Sequence, residues 1–187
     1  MNPNLKGSLR LVYGNAQRLL LLVNQLMDLR KNQSGNLQLR VSHNDLYLFT
    51  QEIYIAFNQI AVKERIIFRL ESDESGIDAW FDRVLLEKVF FNLLSNAFKH
   101  TAPDESITIR LQLFSVAGLQ EQFPGRISGE VRGTSRYVCL SVEDTGKGID
   151  DSDKFHIFSP FYQGTDESES NTAGTGIGLS LVLSIVK

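Results

Sequence analysis

LLEKVFFNLLSNAFKHT, residues 85–101, reads as a helix with a divided surface. At 100° per residue, with Asn92 at zero, Leu86, Val89, Phe90, Leu93, Leu94, Ala97 and Phe98 occupy an arc from about 60° to about 240°. That arc is the core side. Asn96 at about 40°, Lys99 at about −20° and Lys88 at about −40° share a narrow stripe with Asn92. Asparagine is a poor helix former, so two of them on one mid-helix face ask for a reason. Amide oxygens can ligate Mg2+, amide NH2 groups can donate to phosphate oxygens, and a lysine adds charge. The stripe therefore suits a phosphate chain with a hard cation; for the helix alone, a solvated polar face is the alternative.

Downstream, "RYVCLSVED" alternates as a strand and runs into "DTGKGID" at 144–150. Asp144 ends the strand, and Gly146 and Gly148 permit close backbone approach or positive φ directly after it. A carboxylate there can accept from the exocyclic amine of adenine, whereas guanine presents an acceptor and leaves the site unpaired. The acidic run Asp150, Asp151 and Asp153 invites a calcium-loop reading. Spacing removes it: counted from Asp144, positions 3 and 5 are glycines and position 12 is Phe155. The run reads instead as part of a solvated lid.

"GTGIGLSL" at 174–181 is the second glycine signal. Its G-x-G-x-G spacing is not the G-x-G-x-x-G of a dinucleotide fold, and Gly146-Lys147 is followed by Gly148 where a Walker loop needs Ser or Thr. Neither common phosphate loop fits.

At 187 residues and 42% hydrophobic, the chain can bury one full domain plus an extra element. Nineteen basic and 22 acidic residues give a net charge of −3 without a basic block, which argues against nucleic acid as a partner. The run "LLLLV" at 19–23 is far short of a membrane span, and no secretory h-region opens the chain. The lone Cys139 excludes an internal disulfide and a cysteine metal site, suits a reducing compartment, and reads as a half-buried strand residue.

Leu9, Val12, Ala16, Leu19, Val23, Leu26 and Leu29 recur at three- and four-residue steps, so 8–31 reads as a long amphipathic helix. Its stripe needs a partner helix, a second subunit or the main domain to cover it. Strands are expected at 37–41, 65–70, 77–82, 106–114 and 136–144, and helices at 43–64, capped by Asn44 or Asp45, and at 83–100. A Gly-rich loop is expected at 117–135, and a lid at 144–175 interrupted by "FHIFSPFY". Strands grouped with helices indicate an α+β fold, a two-layer α/β sandwich preceded by a long α-helix.

Together and in this order, "NLLSNAFKHT", "DTGKGI", "IFSPFYQ" and "GTGIGLSL" closely resemble the N, G1, F and G2 boxes of bacterial sensor histidine kinases. The resemblance implies a catalytic and ATP-binding domain of the Bergerat (GHKL) type over residues 37–187, C-terminally truncated. Residues 1–36 then resemble part of the dimerisation and phosphotransfer hairpin, its second helix. The wording around "WFDRVLLEKVFFNLLSNAFKHT" is similar to the Bacteroides hybrid two-component sensors.

Residue by residue, the resemblance implies that Asn96 binds Mg2+, with Asn92 supporting metal and phosphates, and that Lys99 and His100 approach the phosphates. Asp144 would contact adenine, with Gly146, Gly148 and Ile149 around it. Phe158, Phe161 and Tyr162 would belong to the lid, with Tyr162 among the ATP-binding residues. Gly174, Thr175, Gly176, Ile177, Gly178 and Leu179 would form its far hinge, backbone NH groups facing the phosphates at a helix start.

The function implied is transfer of the γ-phosphoryl of Mg-ATP to a histidine, for phosphorelay to the aspartate of a response-regulator receiver domain. The partners implied are ATP, an acceptor hairpin in the same or a partner subunit, and a second copy in a homodimer. The kinase portion would be cytoplasmic in an inner-membrane sensor. The acceptor is expected outside this chain, because His43, His100 and His156 lack the family's H-E-L-R-T-P context. "FSPF" also lacks the arginine many relatives carry before the second Phe. The alternative is a GHKL-type ATPase or a nucleotide-sensing module without transfer. In the ATPases a water-activating glutamate precedes the metal-binding asparagine by four residues; here that residue is Asn92.

Overall fold

The computed structural model describes residues 38–124, 136–164 and 175–187, together with nine helical positions between Tyr13 and Arg30. Beyond those positions, the described elements are β1 (Ser42–Asp45), α1 (Leu46–Glu64), β2 (Ile67–Ser72), β3 (Asp78–Phe81), α2 (Arg83–His100), β4 (Ser106–Phe114), α3 (Val116–Gln122), β5 (Tyr137–Asp144) and α4 (Gly178–Val186). Four helices and two sheets make a mixed α/β fold of the expected class. No helix among the described residues is long and apolar enough to cross a membrane.

The chain divides into two units. One comprises Val41–Arg83 and Leu94–Gly148; the other comprises Met1–Arg40, Val84–Leu93 and Ile149–Lys187. The first holds both sheets. In it β4 is the central strand, parallel to β2 and antiparallel to β5. The period-2 pattern of "SITIRLQLF" explains this position: Ile107, Ile109 and Leu111 are each fully buried on one face. On the other face Arg110 reaches both neighbouring strands, its guanidinium 3.0 Å from Glu71 and 2.8 Å from Glu143. The pair of bridges is partly exposed, so it aligns strands more than it stabilises them.

Helix α1 buries Leu46, Phe49, Thr50, Ile53, Phe57 and Ala61 at helical spacing and lies against β2. Phe68 meets Tyr54 and Phe98 at ring distances of 4.8 and 5.3 Å, and Phe57 stacks on Phe98 at 5.7 Å. Of the two expected caps, Asp45 serves: its Oδ1 accepts from the Tyr47 and Leu48 amides. The helix ends at Arg65, left-handed at φ 59°, whose side chain pairs with Asp104.

Two expectations are corrected. The first strand lies at Ser42–Asp45, not 37–41, because His43 and its neighbours pair with β3, His43 opposite Trp80. Inside the expected 117–135 loop sits α3, started by the Ser115 hydroxyl accepting from the Gly118 amide; residues 125–135 lie outside the described residues. Its seven residues have no apolar stripe to announce it.

In the second unit, Val89 and Phe90 of α2 and Ile177, Leu181 and Val182 near or in α4 are buried. At the described positions of the 8–31 stretch, the expected helix is present and Leu19, Leu20, Val23, Leu26 and Met27 are exposed. Leu9, Val12 and Leu29 lie outside the described residues.

Candidate functional site

Helix α2 runs from Arg83 to His100, and its wheel divides as expected: Val89, Phe90, Leu94 and Ala97 are buried. Asn92 and Asn96 stand one turn apart, both half-buried. The Asn92 amide donates to the Lys88 carbonyl at 2.7 Å. This turns its Oδ1 toward the start of α4, where a Cβ on Gly178 would come within 2.8 Å of it. Asn96 differs: among the described residues its amide has no hydrogen-bond partner. Lys99 is exposed and has no ion pair among the described residues.

No three His, Cys, Asp or Glu side chains of the described residues gather as a metal cluster. On its asparagine face α2 offers two hard oxygen donors, the amide oxygens of Asn92 and Asn96. Mg2+ is commonly held through substrate phosphates plus one or two protein oxygens, and this donor set fits it on that basis.

At the end of β5, Asp144 lies opposite Ile107 and is exposed. Its Oδ1 accepts from the Gly146 amide at 3.1 Å, which leaves Oδ2 without a protein partner among the described residues. Thr145 extends the ladder by one residue: its amide donates to the Ser106 carbonyl at 3.0 Å, and its hydroxyl accepts from the Ser106 amide at 2.9 Å. Gly146 is then pressed onto the end of α2, where a Cβ would lie 2.1 Å from the His100 carbonyl oxygen. Gly148 has the opposite reason to be glycine, with φ +75° and open space around it. Ile149 follows, exposed.

Residues 151–161 form successive turns. The acidic run is not uniformly solvated. Asp151 pairs with Lys154 at 2.7 Å, but the half-buried Asp153 accepts from the Tyr162 hydroxyl at 2.8 Å. That hydrogen bond, and then burial, hold the Tyr162 phenol above its ordinary pKa. The Tyr162 hydroxyl thus faces Asp153 within its own segment. Phe161, beside it, is left-handed at φ 65°, a conformation that costs about 1–2 kcal/mol outside glycine. Its amide donates to the Gly176 carbonyl at 2.8 Å. Phe158 and Phe161 are exposed.

Gly174 lies outside the described residues. The Thr175 hydroxyl accepts from the Ile177 amide at 3.3 Å. Gly176 is doubly constrained, with φ +68° and a Cβ that would lie 2.7 Å from the Phe161 carbonyl carbon. Ile177 is buried, and its carbonyl accepts from the Leu181 amide and the Ser180 hydroxyl. Gly178 and Leu179 begin α4, whose N-terminus has no side-chain cap. Such a helix start presents donors and the positive end of the dipole.

The structure thus brings Asn92 to Gly178, Asp144 and His100 to Gly146, and Phe161 to Gly176. Asp153, expected only as part of the solvated acidic run, is instead engaged by Tyr162, and Thr145 is a residue the sequence reading does not single out. Thr145 had a local signal, a β-former continuing the strand alternation into the glycines; Asp153 had none, since its partner is nine residues away.

Residues 81–187 match the family described as histidine kinase-, DNA gyrase B-, and HSP90-like ATPase. Among relatives, Histidine kinase P4 of Formosa agariphila is 30% identical over 96% of this chain and 12% of its own length. The virulence sensor protein BvgS of Bordetella pertussis is 27% identical over 97% and 14%. This chain therefore spans about an eighth of the length of these relatives. The catalytic domain of histidine kinase ThkA superposes with a TM-score of 0.59 at 26% identity, covering 79% of this chain and 81% of that one. ThkA has also been solved in complex with the response regulator protein TrrA (TM-score 0.61, 23% identity, 87% and 42% covered). With the mixed α/β fold and the paired asparagines of α2 in place, the chain belongs to the histidine kinase-, DNA gyrase B- and HSP90-like ATPase family, as the catalytic and ATP-binding domain of a sensor histidine kinase.

Proposed function

We propose that this chain binds Mg-ATP and transfers its γ-phosphoryl to a histidine imidazole on an acceptor hairpin, which then supplies the aspartate of a response-regulator receiver domain. The observation that carries the reading is the half-buried Asn96 amide, one turn from Asn92 and without a protein partner among the described residues. Its polar atoms are open to solvent and not engaged by protein among the described residues, so a cation or a phosphate oxygen can take the place of water there.

In this reading Asn96 holds the cation, and Asn92, oriented by the Lys88 carbonyl, supports metal and phosphates. Mg2+, when bound, neutralises phosphate charge. Lys99 and His100 lie beside the phosphates. The free Oδ2 of Asp144 accepts from adenine, while Gly146, Gly148 and Ile149 shape that contact. Thr175, Gly176, Ile177, Gly178 and Leu179, with Gly174 and Tyr162, serve the phosphate side, the amides of Gly178 and Leu179 acting as donors. Residues 1–36 would be part of the dimerisation and phosphotransfer hairpin and 37–187 the catalytic domain, in a homodimeric inner-membrane sensor.

Transfer is favoured over hydrolysis by the absence of a base at Asn92 and by the exposure of Glu87, which lies on the helix about 220° around from Asn92. The acceptor is taken to lie outside this chain because none of the three histidines has the H-E-L-R-T-P context. His43 is paired in β1 against Trp80, His100 ends α2, and the His156 ring lies 5.4 Å from that of Tyr162.

Transfer of radiolabel from γ-labelled ATP to a separately supplied acceptor hairpin tests the proposal, with Asn96→Ala and Asp144→Ala as controls. Transfer that survives both substitutions would refute the residue assignments. Steady hydrolysis without acceptor would favour the ATPase reading.

A further inference from the structure

We propose that Asp153 and Tyr162 are positioning residues for the phosphate side of the site, acting through Phe161 and Gly176; this rests on the nucleotide-binding reading above. The family's glycine box ends in the start of α4, and beside the Asn92 contact and the buried Ile177 a further chain of contacts reaches that start from Asp153. Its carboxylate accepts from the Tyr162 hydroxyl at 2.8 Å. The backbone then folds back over the same carboxylate, since a Cβ on Gly164 would lie 2.9 Å from its other oxygen. Asp153 is itself fixed by its own peptide group: its amide donates to the Asp150 carbonyl at 2.9 Å, and its carbonyl accepts from the His156 and Ile157 amides at 2.7 and 3.0 Å.

Tyr162 follows Phe161 directly, and Phe161 is the one left-handed non-glycine among the described residues of this unit, at φ 65°. A conformation of this kind persists only where its neighbours over-determine it. Three ties hold it: the Tyr162 hydroxyl on Asp153, the Tyr162 amide donating to the Ser159 carbonyl at 3.2 Å, and the Phe161 amide donating to the Gly176 carbonyl at 2.8 Å. The backbones of Phe161 and Gly176 are in contact with no room for a side chain between them. Two residues later α4 begins with its uncapped amides. Loosening Tyr162 therefore releases Phe161, shifts Gly176, and misaligns the donors of Gly178 and Leu179 without removing any of them. Donors of this kind act only when preset to about half an ångström.

The test compares wild type, Tyr162→Phe, Asp153→Ala and the double variant by calorimetric titration with a non-hydrolysable ATP analogue and with AMP. Each single change should weaken the analogue about three- to tenfold, the range of one net hydrogen bond, and leave AMP within about twofold. The double variant should be no worse than the weaker single one, because both changes cut the same bond. Unchanged analogue affinity, equal losses for analogue and AMP, or additive losses would overturn the positioning role. Wild-type protein that binds AMP but gains nothing from the further phosphates would also overturn it. Wild type that binds neither would bring down the nucleotide reading as well.

Discussion

Replacing Gly146 by alanine places a methyl group where the His100 carbonyl already sits. The new Cβ would lie 2.1 Å from that oxygen and 2.8 Å from its carbon, whereas Cβ atoms essentially never come within 3.0 Å of such neighbours. The shortfall of roughly 1 Å cannot be relieved by a rotamer, because both parties are backbone. Either the last turn of α2 or the end of β5 has to move. The second route breaks the Thr145–Ser106 pair, at 3.0 and 2.9 Å, and the Asp144–Gly146 bond at 3.1 Å. Overpacking costs about 1–3 kcal/mol and each lost hydrogen bond about 0.5–1.5 kcal/mol. The expected cost is about 1–3 kcal/mol by the first route and about 2.5–7.5 kcal/mol by the second, against a typical domain's stability of about 5–15 kcal/mol.

Gly148 supplies the internal comparison. Its φ of +75° disfavours alanine, but a Cβ there meets nothing within 4 Å. Gly148→Ala should cost about 1–2 kcal/mol, and Gly148→Asn less, because asparagine tolerates the left-handed region. Equilibrium urea unfolding of the three variants measures both quantities. A Gly146→Ala protein within about 0.5 kcal/mol of wild type, or one more stable than Gly148→Ala, would refute the steric argument.

Asn96→Ala should weaken Mg2+-dependent ATP binding by at least about tenfold with a urea midpoint no lower than wild type, since its amide has no partner among the described residues to lose and alanine is the better helix former; titration with and without Mg2+ checks it. Asp45→Ala removes the acceptor of the Tyr47, Leu48 and Ile77 amides and should cost about 1–2 kcal/mol by urea unfolding, with no change in nucleotide affinity. Burial first, and the Glu143 charge second, raise the Cys139 thiol above its ordinary pKa. The folded protein then keeps a proton that the unfolded chain releases, so stability falls as pH rises from the ordinary thiol range toward the raised value. Urea midpoints at about pH 8 and about pH 10 should converge for wild type and Cys139→Ala at the lower pH and diverge, wild type falling further, at the higher one.

The elements that were legible in advance are those whose pattern is strong and local. Helix α2 begins and ends where the wheel places it, since its apolar arc and the strand-forming residues on either side leave one reading. Strand β4 likewise follows from the alternation of Ile107, Ile109 and Leu111 against Thr108 and Arg110. The first strand was misplaced because "LQLRV" has strand character but β3 pairs with the next four residues; β-propensity yields to the available partner. Helix α3 was missed because a short helix with a glycine and no apolar face has no periodic signature.

By itself the sequence determined the class of the fold, the polar stripe of α2 and the order of the glycine boxes, because helical and strand periods and residue chemistry are properties of neighbours along the chain. What only the tertiary structure decided is which constraint each box residue obeys. Gly146 is glycine because of the His100 carbonyl 46 residues earlier, Gly178 leaves room for the Asn92 amide, and the Tyr162 hydroxyl meets Asp153. These are contacts between segments that packing brings together, and the pattern along either segment alone does not contain them.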